Sequence, residues 1–154
     1  METHKRFDSK GITLIELIVV MAIIAIGAML VVPNIGGWMP TYRLKEATRD
    51  IISAMRVAQI KSVSNNSWCR VTFEPGKRRY FLETSQDLGA NWTKEGEDLT
   101  LPNGVSISQT TFAGGIATFY PNSSATNGSI TLINTKGSQK NIQLLGTTGR
   151  IKHG

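Results

Sequence analysis

Few side chains in this 154-residue chain could do chemistry, and their spacing does not group them. The histidines, His4 and His153, stand at opposite ends, and the one cysteine is Cys69. From Asn103 to Gly154 there is no Asp or Glu at all. A general acid–base pair, a nucleophile–histidine arrangement or a His/Cys metal cluster has nothing to be built from there. Catalysis is therefore not expected, and no cofactor or metal is implied. A lone cysteine forms no intrachain disulfide; Cys69 reads as a small buried hydrophobe in a strand.

Two charge features remain. The first is Glu16, the one charged side chain in an apolar run from Ile12 to Val32. An ionised side chain within lipid costs about 2.5–3.5 kcal/mol at mid-membrane, so it calls for a partner or a way out to the headgroups. The second is the basic excess, a net charge of +6. After Asn103 its carriers are Lys136, Lys140, Arg150 and Lys152, with a separate knot at Lys77-Arg78-Arg79. Basic residues gathered on one face are the footprint of phosphate binding. The plainer reading is a solvated turn and tail.

Positioning these residues falls to a few elements. Ile12–Val32 is 21 residues, about 31 Å as a helix, which matches a hydrocarbon core of about 30 Å. The preceding residues carry Lys5, Arg6 and Lys10 against Glu2 and Asp8, a balance that keeps that end cytoplasmic. Pro33, Gly36, Gly37 and Pro40 predict a kink or break. From Tyr42 to about Ser64, Leu44, Ala47, Ile51, Ala54, Met55 and Ala58 form one apolar stripe at helical spacing, and Asn65-Asn66 end it. Trp68–Phe73, Arg79–Glu83, Val105–Ile107, Ile116–Tyr120, Ser129–Asn134 and Asn141–Leu145 read as strands, and the acidic stretch Gln86–Asp98 as a surface loop. The fold class is thus α+β: a long N-terminal helix, half membrane-spanning and half amphipathic, packed on an antiparallel sheet or two small sheets.

A short charged leader ending in Gly11, an apolar helix beginning at Ile12, and Glu as its fifth residue resemble the leader of type IV pilins and type II secretion pseudopilins. A conventional signal peptide cut after Ala25-Ile26-Gly27, or a plain anchor, are the competing readings, but a conventional apolar region is 7–15 residues and lacks a Glu near its start. The resemblance implies cleavage by a prepilin peptidase between Gly11 and Ile12 and methylation of Ile12. It further implies that Glu16 neutralises the terminal amine of a neighbouring subunit and that Pro33 lies where pilin helices extend during packing. The family usually has Phe where this chain has Ile12. His4 would be lost with the leader.

Phe119-Tyr120-Pro121, the strand pair to Leu145 and the ending Gly149-Arg150-Ile151-Lys152 look like the GspH/FimT branch. That implies residues 1–11 as leader, 12–33 as transmembrane and assembly helix, 34–66 as amphipathic half-helix and 67–154 as a periplasmic sheet domain. The implied protein is a minor pilin or pseudopilin that initiates or caps a filament, held in the bacterial inner membrane among other pilins. The FimT association with natural transformation offers a second role, binding double-stranded DNA through Arg150 and Lys152, with Lys136 and Lys140 as helpers. Lys in the last position lacks arginine's planar grip on phosphate. Pilus and secretion machines share these features, and the sequence does not separate them.

Overall fold

A computed structural model describes residues 11–31 and 35–154. The leader up to Lys10, and the break expected at Pro33, lie outside the described residues. The chain divides into two units between Gly37 and Trp38.

The first unit holds α1, Leu14–Val31. Thr13 caps it: the Glu16 backbone N–H donates to Thr13 Oγ1 at 3.4 Å, and the Leu17 N–H to Thr13 O at 3.2 Å. Beyond Glu16, α1 is apolar on every face, from Leu14 at 76% exposed to Met29 at 76%, the pattern of a helix made to be covered on all sides. At 18 residues it rises about 27 Å. Among the described residues no helix is long and apolar enough to cross a membrane; the apolar sequence runs on to Val32, beyond them.

The second helix, α2, spans Ile35–Ser64 and carries Pro40 inside it, so the chain stays helical through this proline. As the sixth residue of α2, Pro40 forgoes one ladder bond, to the carbonyl of residue 36. The expected stripe of Leu44, Ala47, Ile51, Ala54, Met55 and Ala58 is buried, joined by Ile52. Thr48 is buried too and donates its hydroxyl to Leu44 O at 2.7 Å. The end is a Schellman cap: Asn66 takes φ 48°, Ser67 N–H reaches Ser62 O at 3.1 Å and Asn66 N–H reaches Val63 O at 3.4 Å.

Eight strands follow: β1 Trp68–Glu74, β2 Arg79–Ser85, β3 Thr93–Thr100, β4 Val105–Thr110, β5 Ile116–Phe119, β6 Gly128–Asn134, β7 Gln139–Leu145 and β8 Arg150–His153. They form two antiparallel four-stranded sheets, β3-β2-β1-β5 and β4-β6-β7-β8. One core joins the α2 stripe to Val71, Phe73 and Phe119 of the first sheet and to Ile130, Leu132, Ile142 and Leu144 of the second.

Two expectations need correction. Residues 93–98 belong to β3, not to a surface loop. Both faces of this edge strand are largely exposed, so it lacks apolar alternation, and its charges Lys94, Glu95, Glu97 and Asp98 guard the open edge. The Gly-Arg-apolar-basic ending is not a tail either: Arg150–His153 is β8, paired antiparallel with β7.

Candidate functional site

Gly11 and Ile12 precede α1 and are exposed, as is Glu16 in its first turn. Among the described residues a Cβ on Gly11 would meet nothing within 4 Å, so packing against them does not require glycine there. The Thr13–Glu16 spacing is the signature of a capping box, a signal in the sequence that the reading of Glu16 as a lone charge passes over. A carboxylate at this position also faces the positive end of the helix dipole. Glu16 therefore has a local role in starting α1 as well as any role between subunits.

The basic residues are not brought together. Alternation along β7 buries Ile142 and Leu144 and exposes Gln143. Lys152 lies opposite Gln143 and Arg150 opposite Leu145, so both cations stand on the outer face of the second sheet. Lys140 lies opposite buried Leu132 and so stands on the other, core-side face. Lys136 sits beyond β6 in the hairpin turn, its backbone N–H donating to Asn134 Oδ1 at 3.0 Å. The outer face around Arg150 and Lys152 carries Thr131, Asn141 and Gln143, with Asn141 Nδ2 donating to Thr131 Oγ1 at 2.9 Å. It offers cations, hydroxyls and amides and no carboxylate.

The knot at Lys77-Arg78-Arg79 has other work. Arg78, at φ 52°, donates through Nη2 to Leu101 O at 3.0 Å and Pro102 O at 2.9 Å, tying the β1–β2 turn to the segment before β4. Arg79 pairs with Glu74 and, at 2.9 Å, with Asp98, and Lys77 reaches Glu74 at 3.4 Å. The Arg79 pairing, with burial acting against it, holds the Glu74 carboxyl below the usual range. Lys77 and Arg79 are thus paired with carboxylates, while Arg78 is held by backbone carbonyls.

On the outer face of the first sheet, Arg70 Nε donates to Glu83 Oε2 at 2.7 Å, Thr72 Oγ1 donates to the same oxygen at 2.8 Å, and the guanidinium lies 4.0 Å above the Trp92 ring. Burial pushes the Glu83 carboxyl up, but the Arg70 and Thr72 hydrogen bonds together outweigh it and leave the carboxyl low. Burial pushes the Cys69 thiol up, which suits the expected packing role and not a reactive thiolate. Tyr80 is raised to about 12 by burial and by nearby Asp50. Among the described residues no group of three or more His, Cys, Asp or Glu is placed to hold a metal ion.

Residues 6–32 match the prokaryotic N-terminal methylation motif. The fold, a helix packed on antiparallel sheets, is the one found in solved minor pseudopilin and minor pilin structures. Among solved structures, the chain is similar to the minor pseudopilin EpsH from the Type 2 Secretion System of Vibrio cholerae. The TM-score is 0.60 at 11% identity, over 72% of this chain and 95% of that one. It is also similar to the type IV minor pilin FimU of Pseudomonas aeruginosa, with TM-score 0.55 at 13% identity, over 73% of this chain and 88% of that one. No curated protein matches in sequence.

Proposed function

We propose that this chain is a minor pilin or pseudopilin, a non-enzymatic structural subunit that initiates or caps a type IV pilus or a type II secretion pseudopilus. A prepilin peptidase cuts between Gly11 and Ile12, and the new terminus is methylated. The apolar helix holds the subunit in the inner membrane, amino terminus cytoplasmic and sheet domain periplasmic, until it packs against other pilins. The observation that carries this reading is the methylation motif over residues 6–32, whose stretch Leu14–Val31 forms a helix apolar on every face but for Glu16 in its first turn. Glu16 then neutralises the terminal amine of a neighbouring subunit, which offsets the cost of burying a carboxylate. Pro33, outside the described residues, stands where pilin helices extend on packing. The test is Glu16→Ala: the variant is cleaved as the wild type is, yet fails to co-purify with filament subunits. Normal assembly of this variant would remove the proposed pairing.

A second reading, capture of double-stranded DNA, rests on Arg150 and Lys152 sharing an exposed, acid-free sheet face. Such binding would neutralise backbone phosphates and be indifferent to base sequence.

A further inference from the structure

The outer side of α2 carries a feature that neither the core nor the sheets use. The Trp38 and Tyr42 rings lie tilted against each other with centroids 5.1 Å apart and stand 62% and 50% exposed. One and two turns further along, Lys45 and Arg49 are exposed and join Trp38 and Tyr42 along one groove, whose side toward the sheets is bordered by Glu46 and Asp50. At about 100° per residue, these four side chains fall within an arc of about 60°. The buried stripe centred on Ile51 lies about 150° away on the same helical wheel. The four therefore face away from the sheets. Among the described residues Lys45 and Arg49 make no ion pair. Asp50 borders this groove and also a second one shared with Tyr80 and Leu99.

Aromatic rings with an apolar body and a polar tip, followed on the same face by long cationic side chains, are the chemistry of a membrane–water interface. Trp and Tyr settle at headgroup level, and Lys and Arg reach lipid phosphates. The apolar run ends at Val32, so only five residues of chain separate it from Trp38. Resting on the proposed membrane anchor, we infer that the Trp38–Tyr42–Lys45–Arg49 face of α2 lies on the phospholipid headgroups of the membrane that holds α1. The occupant is a lipid surface, with the aromatic pair at the acyl boundary and the two cations on phosphate. In this state the face fixes how the sheet domain is presented, and leaving the membrane for a filament requires that face to come free.

The test uses the full chain in phosphatidylethanolamine–phosphatidylglycerol vesicles carrying a nitroxide either near the glycerol backbone or near the acyl-chain end. Trp38 is one of three tryptophans; Trp68 packs edge-on against Tyr120 and Trp92 lies under Arg70. The shallow nitroxide should remove up to about one third of the wild-type emission, the share of one tryptophan in three. That quenched component should be absent from Trp38→Phe, which keeps an apolar ring in place, and the deep nitroxide should quench less. Flotation of the same vesicles reports the anchor separately. A chain that floats but shows equal quenching in wild type and Trp38→Phe overturns the inference and leaves the anchor standing. A chain that does not float removes both. A photo-crosslinker at position 38 that captures a second protein chain and no lipid also overturns the inference.

Discussion

Lys140 and Lys152 stand on opposite faces of one four-stranded sheet. Lys152 pairs with Gln143 on the solvent side, whereas Lys140, three residues earlier on β7, pairs with buried Leu132. A duplex lying on the outer face would meet Arg150 and Lys152 and miss Lys140. The salt dependence of duplex binding by the unit Trp38–Gly154 should therefore lose about 1.8 in slope in Arg150→Ala/Lys152→Ala, near 0.9 per lost phosphate contact. Lys140→Ala should leave the slope unchanged. Equal losses at Lys140 and Lys152, or no binding at low salt, would remove DNA capture by this face.

Gly149 sets β8 in place. Its φ is +60°, and a Cβ there would come 2.6 Å from Ser123 O and 2.5 Å from Gln59 Nε2. The amide of Gln59 can swing aside, but the Ser123 carbonyl is backbone. A left-handed residue with a side chain costs about 1–2 kcal/mol before any clash. Gly149→Ala should thus destabilise the unit by about 2–3 kcal/mol in denaturant unfolding. Gly137 also has a positive φ, +80°, but open space around it, so Gly137→Ala should cost only about 1 kcal/mol. Similar losses at both positions would mean that the Ser123 contact contributes nothing.

Asp87 organises the β2–β3 turn. Its carboxylate accepts from Ser85 Oγ at 2.5 Å and from the Asn91 backbone N–H at 2.9 Å. The Ser85 hydroxyl and then the Asn91 groups hold it down at about 2, against an ordinary 3.8. Because the folded value is the lower one, its contribution to stability is complete above the ordinary value and is lost as pH falls through about 2. A carboxyl-carbon titration by NMR should place the Asp87 midpoint near 2. A midpoint at the ordinary value would show that the turn does not hold the carboxylate.

The sequence makes the two halves of this molecule legible to different degrees. The α2 stripe and the central strands announce themselves because each buries one face, so the apolar period survives in the residue types. β3 and β8 do not, because they are edge strands with little to bury; Thr93–Thr100 carries charge where an inner strand would carry valine. Pro40 reads as a kink or break, yet α2 stays helical through it. Glu16 is conspicuous as a charge in an apolar run, yet its local role depends on Thr13 being the cap. Composition likewise gathers Lys136, Lys140, Arg150 and Lys152 into one patch. Strand register separates them, and register is fixed by pairing partners distant in sequence.

Processing at the amino terminus is the most direct test of the whole account. The chain should be isolated from membranes of cells expressing a prepilin peptidase and its terminal residue determined by mass spectrometry, with Gly11→Val beside it. Since a Cβ at Gly11 would meet nothing within 4 Å among the described residues, that substitution should leave folding intact and block only cleavage, yielding a heavier membrane-bound precursor. The account predicts a wild-type chain that begins at N-methylated Ile12. A chain that still begins at Met1, or one cut after the apolar run near Gly27, would contradict it.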